Sequence, residues 1–349
     1  MQDLPHLIET VQVNCDIADA RHARETTLCN YLLGMRELYR WEQELPLSHV
    51  LSKDDVGAWL TQREAKWDDL EDVDFCPLLI DGCQYDPFDS AGINHALLPY
   101  GLVYGGGYAH WGNPNFFLAQ LQRSEQRSGL TVLVSGCEYA RGVAAPPAAL
   151  NQHMVFLRTD AMQRWLWGRL EIWGVHKAED ALSAALDCYG EGGAEKKLER
   201  MAARESETLI LHEVGEALAE PMLGTTWREM LASLNSRRAE LLVRAVRDNL
   251  ADCLSTLPEL IKQGEAGSIH FYFANFDGMR RKLFPRLREG YECWRADGNT
   301  ARLAEAADIG RKHWQDEAGR MLDAWRSNEH AAAETIIEGW EEHSATLVL

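Results

Sequence analysis

The sequence predicts an α+β protein that is predominantly α-helical: a helical bundle with a small mixed α/β insert. Apolar residues recur at a helical period of about 3.6 over long stretches near both ends of the chain. Between these stretches, short apolar runs alternate with segments rich in Gly, Pro, Asn and Asp, as is typical of strands joined by turns. The predicted division is an N-terminal helical segment over residues 1–71, the insert over 72–158 and a C-terminal helical bundle over 159–349.

Local signals predict the individual helices and strands. Strong helix formers run from Leu7 to Glu44 and stop before Pro46, which predicts one long N-terminal helix. In the insert, the apolar runs CPLLI, LTVLVSG and HMVFLR predict strands, whereas FFLAQLQRSEQR, which follows Pro114, predicts a helix. The stretch YGGGYAHWGNP, with three consecutive glycines, predicts a turn or loop whose residues adopt positive φ.

Composition excludes several classes of protein. The chain of 349 residues is 46% apolar and carries a net charge of −19, which opposes binding to nucleic acid and to anionic lipid. No apolar run reaches the roughly 18 residues that span a membrane, and no basic leader precedes an apolar run at the N-terminus. Eight scattered cysteines without a C-x-x-C pair indicate reduced thiols. The prediction is a soluble, cytoplasmic protein that binds neither nucleic acid nor membranes.

The stretch LHEVGEALAE is the first candidate for chemistry. Its His212, Glu213 and Glu216 fall on one side of a helix. A zinc-protease helix needs a second His four residues after the first, and Glu216 stands there instead. The order His-x-x-x-Glu is a partial match to the Glu-x-x-His helices of di-metal bundles. A helical wheel places Ile210 and Val214 opposite these polar residues, which favours an acidic face exposed to water.

The N-terminal helix carries the second candidate. Asp19, His22 and Glu37 share a stripe with Cys15 and Cys29, and small or apolar residues surround them. Such neighbours indicate a helix buried on two sides. A buried carboxylate must be paired, protonated or metal-bound. Two interpretations remain: an ion pair inside the bundle, and a metal or acid/base site.

Two further patterns have plainer interpretations. In and just before RDNLADCL, Arg244 and Asp248 are four residues apart on the face that also carries Asp252, which is typical of a surface ion pair. In the insert, the aromatic and polar residues around the glycines are typical of pocket walls, with Asp86, Tyr104 and His110 as candidates.

Two stretches resemble a known family: CDIADARHARETTLCNYLLGMRELYRWE, and DPFDSAGINHALLPYGLVYGGGY followed by FFLAQL. The family is one of uncharacterised bacterial proteins with N-terminal and C-terminal helical parts. The resemblance runs over most of the chain. It implies no assigned function and no catalytic residues.

Three functional hypotheses remain. In the first, helices from both ends of the chain form a metal site for Fe, Mn or Zn, with either redox or hydrolytic chemistry. Its predicted ligands are Asp19, His22, Glu37, His212 and Glu216. In the second, the 12 tryptophans indicate a non-catalytic interaction or assembly factor, either a homo-oligomer or a protein with another partner. In the third, the glycine-rich insert holds a small-molecule enzyme site.

Overall fold

The computed structural model describes residues 3–108, 113–176, 181–340 and 347–349. The chain forms two compact units: residues 1–177 with 193–202, and residues 178–192 with 203–349. Helices outnumber strands and the strands are confined to the first unit among the described residues, which confirms the predicted α+β, predominantly α class. None of these helices carries an apolar stretch long enough to cross a lipid bilayer. The predicted pocket residue His110 lies outside the described residues.

The first unit combines helices with a five-stranded sheet and a two-stranded hairpin. Its helices are α1 (Leu4–His22), α2 (Leu28–Glu42), α3 (Lys53–Asp68), α4 (Ser90–Leu97) and α5 (Thr159–His176). Its strands are β1 (Leu78–Ile80), β2 (Cys83–Tyr85), β3 (Leu102–Tyr108), β4 (Pro114–Arg127), β5 (Leu130–Arg141), β6 (Ala148–Asn151) and β7 (Met154–Arg158). The sheet has the order β3-β4-β5-β7-β6, with β5 and β7 parallel and the other pairs antiparallel.

The predicted single N-terminal helix is wrong, because the chain breaks between α1 and α2. A 3₁₀ turn, Ala23–Glu25, ends α1, and Thr26 is extended. The Thr27 side chain then accepts a hydrogen bond from the Asn30 backbone N–H at 3.3 Å and begins α2. Threonine hydroxyls compete with helical backbone hydrogen bonds and favour such caps, which explains the break.

The helix predicted for FFLAQLQRSEQR is also wrong, since this segment forms β4, between β3 and β5 in the sheet. Phe116, Phe117, Leu118 and Ala119 are all buried. A short apolar run of this kind does not distinguish a buried strand from a buried helix, and the tertiary context decides between them. The strands predicted at CPLLI, LTVLVSG and HMVFLR are confirmed as parts of β1, β5 and β7.

The consecutive glycines belong to a strand, so the predicted positive-φ loop is wrong at these positions. Gly105 pairs with Phe117 in the β3–β4 ladder, and a Cβ on Gly105 would lie 2.0 Å from the Phe117 ring. A Cβ on Gly106 would lie 2.2 Å from the Pro87 carbonyl oxygen. The glycines therefore provide space for close packing rather than conformational freedom.

The second unit is helical throughout its described residues. It holds α6 (Ala181–Asp187), most of α7 (Ala194–Ser233), α8 (Arg237–Ala251), a π-helical turn (Asp252–Thr256), α9 (Leu257–Gln263), α10 (Ala266–Asn275), α11 (Gly278–Leu283), α12 (Pro285–Asp297), α13 (Ala301–Ser327) and α14 (His330–Glu338). Many of the tryptophans lie in the core of this unit, including Trp227, Trp314, Trp325 and Trp340. Their burial explains much of the tryptophan content without a protein interface.

Helices α7 and α8 come into close backbone contact at Gly215. A Cβ on this glycine would lie 2.3 Å from the carbonyl oxygen of Ala251, at the end of α8. Only a residue without a side chain allows the two backbones to come so near. Because Gly215 stands between His212 and Glu216, the same contact brings those side chains up to α8 and to the π-helical turn.

Gly215→Ala is expected to lower the free energy of unfolding by about 1–3 kcal/mol, because the new methyl group would force α7 and α8 apart. Urea unfolding followed by circular dichroism measures the change. Gly319→Ala is the matched control: Gly319 lies within α13 with open space where a Cβ would stand, so this variant should gain about 0.5–1 kcal/mol. A G215A variant as stable as the wild type would contradict the close approach.

Candidate metal centre

Two helices each contribute a pair of side chains four residues apart to one cluster. His212 and Glu216 come from α7, while Asp248 comes from α8 and Asp252 begins the π-helical turn. One ligand atom from each of His212, Glu216 and Asp248 lies within 4.8 Å of the others. Ligand atoms stand about 2 Å from a bound transition metal and thus at most about 4 Å apart, so small side-chain rotations would complete a three-residue site.

Asp252 contacts the His212 ring on the side away from Glu216 and fixes its orientation. The Nδ1 atom of His212 lies 2.8 Å from Oδ1 of Asp252, whose side chain is only 1% exposed. An ionised carboxylate only accepts hydrogen bonds, so Nδ1 carries the proton and donates it. Nε2 then faces Glu216, whose Oε1 is 3.5 Å away. A carboxylate behind the imidazole is the arrangement that orients histidine ligands in metal sites.

Asp252 has two further partners on other helices. The Tyr272 hydroxyl of α10 donates to its Oδ2 at 2.8 Å, and Arg280 of α11 forms an ion pair with the same oxygen. Burial alone would raise the pKa of Asp252, but Arg280 and His212 together lower it to about 2. Burial opposes protonation of His212, yet the charge and hydrogen bond of Asp252 raise the pKa of His212 well above its usual value. The raised pKa favours the protonated ring at neutral pH.

Arg247 places a positive charge beside the two outer carboxylates of the cluster, those of Glu216 and Asp248. Its Nη2 donates to Glu216 Oε1 at 2.6 Å and to Asp248 Oδ1 at 2.9 Å, and its Nε donates to Asp248 Oδ1 at 3.1 Å. The place between Glu216 and Asp248 thus accepts a cation. Any metal ion that binds these carboxylates must compete with the Arg247 guanidinium.

Glu213 is a buried carboxyl at the edge of the cluster. Burial, followed by the negative charge of Glu216, raises the pKa of Glu213 above its usual value. The raised pKa favours the neutral form at neutral pH.

The structure corrects two sequence-based interpretations of these helices. The face carrying His212, Glu213 and Glu216 was expected to be exposed to water, but Glu213 is buried and the side chains of His212 and Glu216 are only 21% and 16% exposed. The helical wheel predicted exposure wrongly because α7 is covered on both sides: the apolar face with Ile210 and Val214 is buried, and so is most of the polar face. Arg244 and Asp248 were expected to form an ion pair on the surface. Arg244 instead donates to Glu240 at 2.7 Å.

Of the five predicted ligands, His212 and Glu216 lie together in the second unit, and Asp19, His22 and Glu37 lie in the first. Asp19 is buried, accepts from the Val143 backbone N–H at 2.9 Å, and has a pKa raised by burial to about 7. His22 Nδ1 lies 3.0 Å from the Glu25 carboxylate, and Glu37 pairs with Arg40. Each of these three side chains belongs to a separate set of contacts.

The pocket residues predicted in the insert have structural partners. Tyr104 is fully buried, and its hydroxyl donates to the Pro87 carbonyl at 2.7 Å. Asp86 accepts from the Phe88 backbone N–H at 2.8 Å and thereby closes a turn. Asp248 and Asp252 are the site residues that the sequence interpretation missed. Their spacing of four was the available signal, but only the spacing of Arg244 and Asp248 was interpreted, as a surface ion pair.

The fold and the site define an α+β protein with a largely buried carboxylate–histidine cluster between two helices. Residues 6–158 match the family model described as "Family of unknown function (DUF6866) N-terminal domain", and residues 163–343 match the corresponding C-terminal domain. The chain therefore belongs to this family, as its resemblance to an uncharacterised family predicted. No curated protein and no solved structure matches the chain.

Asp252→Asn is expected to lower the pKa of His212, because the neutral amide removes the charge that opposes the effect of burial. Proton nuclear magnetic resonance of the imidazole ring across a pH series measures this pKa, with His212→Gln assigning the signal. Asp323→Asn is the control, since the Asp323 side chain is 79% exposed and pairs only weakly with Arg326. An unchanged His212 titration in D252N would contradict the role of Asp252.

Proposed function

We propose that the second unit binds one divalent transition-metal ion through His212 Nε2 and the carboxylates of Glu216 and Asp248. The observation that carries the proposal is the buried Asp252 carboxylate at Nδ1 of His212, which turns Nε2 toward the two outer carboxylates. The three side chains keep between 16% and 21% of their surface exposed, so an ion can enter from solvent.

The donor set selects the class of metal. One imidazole nitrogen and two carboxylate oxygens suit Zn²⁺, Mn²⁺ and Fe²⁺, whereas soft metals such as Cu⁺ prefer thiolate or thioether ligands. Three protein ligands leave at least one coordination position for water or a small molecule. Such an open position is typical of catalytic rather than purely structural metal sites.

Charge balance in the cluster supports the exchange of protons for metal. Three cations face three carboxylates: His212, Arg247 and Arg280 against Glu216, Asp248 and Asp252. A divalent ion adds two positive charges to this neutral set. Loss of one proton from His212 and one from Glu213 restores neutrality, and the raised pKa values of both groups favour their protonated forms at neutral pH.

Metal-free full-length protein is expected to bind about one equivalent of Zn²⁺ or Mn²⁺ in isothermal titration calorimetry. Glu216→Gln and Asp248→Asn keep the side-chain shape but remove a ligand charge, and each should weaken the affinity by about 10–100-fold or more. Circular dichroism confirms that the variants fold.

His22→Ala serves as the matched control for this titration, because His22 is a histidine of the first unit that pairs with Glu25. Its metal affinity should equal that of the wild type. Arg247→Gln should bind the metal more tightly, because the competing guanidinium is gone. The proposal fails if the wild type binds no metal, or if E216Q and D248N bind it as tightly as the wild type does. The cluster would then be only a structural network of ion pairs.

Metal binding near pH 7 is expected to release about one to two protons per ion, because His212 must lose its proton to coordinate and Glu213 ionises beside the new charge. The affinity should therefore fall as the pH is lowered. Titration in buffers of different ionisation enthalpy counts the protons. Glu213→Gln should release about one proton fewer, and metal binding without proton release would argue against coordination by His212.

A further inference from the structure

The first unit contains a cavity of about 770 Å³ between the end of α2, strand β5 and the beginning of α5. Trp41 and Pro46 form an apolar part of its wall, while Glu138, Gln163 and Arg164 form a polar part. The cavity is large enough for a small organic molecule. All of its lining residues belong to the first unit, so it is separate from the proposed metal centre.

Two buried arginines lie directly behind the polar wall, on either side of the Glu138 carboxylate. Arg158 Nε donates to Glu138 Oε1 at 2.6 Å, and Arg141 Nη1 lies 3.5 Å from Oε2. Arg158 also stacks on the Phe117 ring at 4.3 Å. Arg141 and Arg158 are 3% and 2% exposed, and Glu138 is their shared counterion. These two guanidinium groups hold the pKa of Glu138 below its usual value despite its burial.

Arg164 in the wall and the two arginines behind it have more hydrogen-bond donors than the protein satisfies. Both Nη atoms of Arg158, Nη1 of Arg141, and Nε and Nη1 of Arg164 are buried without a hydrogen-bond partner. Arg164 Nε lies 3.4 Å from the Asp160 carboxylate, which is an ion pair of poor geometry. Buried donors without an acceptor are costly, whereas an oxyanion offers several acceptors at once.

Charges of both signs surround the cavity. The guanidinium groups of Arg141, Arg158 and Arg164 lie beside the carboxylates of Glu138 and Asp160, and Glu44 adds a further carboxylate to the wall. Burial raises the pKa of Asp160 above its usual value. Glu42, another acidic residue of the wall, forms an ion pair with Arg63. The cavity therefore offers an anion unused hydrogen-bond donors rather than an excess of positive charge.

From this geometry we infer that the cavity binds a small organic oxyanion, a carboxylate or a phosphate ester. Its anionic group accepts hydrogen bonds from Arg164 and lies next to the arginines behind Glu138, and its apolar part packs against Trp41 and Pro46. The planar fork of a guanidinium group matches the geometry of both carboxylate and phosphate. Neither the family match nor the metal centre assigns a ligand to this cavity.

Isothermal titration calorimetry of the full-length protein tests the site with benzoate, phenyl phosphate and inorganic phosphate, and with benzylammonium as the probe of opposite charge. Benzoate or phenyl phosphate should bind with one site per chain and more tightly than inorganic phosphate, because only the organic probes reach Trp41. Whichever of benzoate and phenyl phosphate binds more tightly shows whether the site prefers a carboxylate or a phosphate ester. Benzylammonium should not bind.

Arg164→Gln should weaken the binding of the organic anion about tenfold or more, because it removes a charged donor from the wall. Arg164→Lys keeps the positive charge but lacks the planar guanidinium fork, so it should bind the organic anion with intermediate affinity. This variant tests the site even if R164Q folds poorly. Arg123→Gln is the control, since Arg123 lies on β4 and its side chain is 48% exposed. The inference is overturned where no anion binds the wild type, where R164Q and R164K bind as tightly as R123Q, or where benzylammonium binds more tightly than benzoate.

Discussion

The carboxylate of Asp252 is the interaction on which the polar interior of the second unit depends. It is almost completely buried and has partners on three other helices: His212 on α7, Tyr272 on α10 and Arg280 on α11. A buried charge is stable only while its partners remain in place, because loss of one leaves the others desolvated and unpaired. The same contacts orient His212, and Gly215 allows α7 to come close enough for them to form.

The two units use buried charge in different ways. Around His212, cations and carboxylates balance, and two groups with raised pKa values can exchange protons for a metal ion. Around Glu138, two buried arginines share one carboxylate, and several of their donor nitrogens have no acceptor. A balanced set with exchangeable protons suits a cation, whereas unused guanidinium donors suit an anion. The chemical difference follows from which groups already have partners.

Sequence patterns predicted part of this architecture and part of the candidate site. The spacing of His212 and Glu216 placed them on one face of a helix, and they do lie together. Asp248 and Asp252 were also placed on one face, but the predicted pairing of Asp248 with Arg244 was wrong. Helical periodicity says which residues share a face. It does not say whether a second helix covers that face, and here the nearby α7 and α8 exclude most of the water.

The sequence by itself determined the predominantly helical class, the three apolar strands and the carboxylate and imidazole groups available for chemistry, because these follow from local periodicity and composition. Only the tertiary structure decided that FFLAQLQRSEQR is a strand, since its apolar run suits a buried helix as well as a buried strand and the pairing with β3 and β5 distinguishes the two. It also decided which charged groups lose their water. Burial depends on the packing of several elements at once, so the pKa shifts of Asp252 and His212 and the unused donors of Arg158 have no local signature in the sequence.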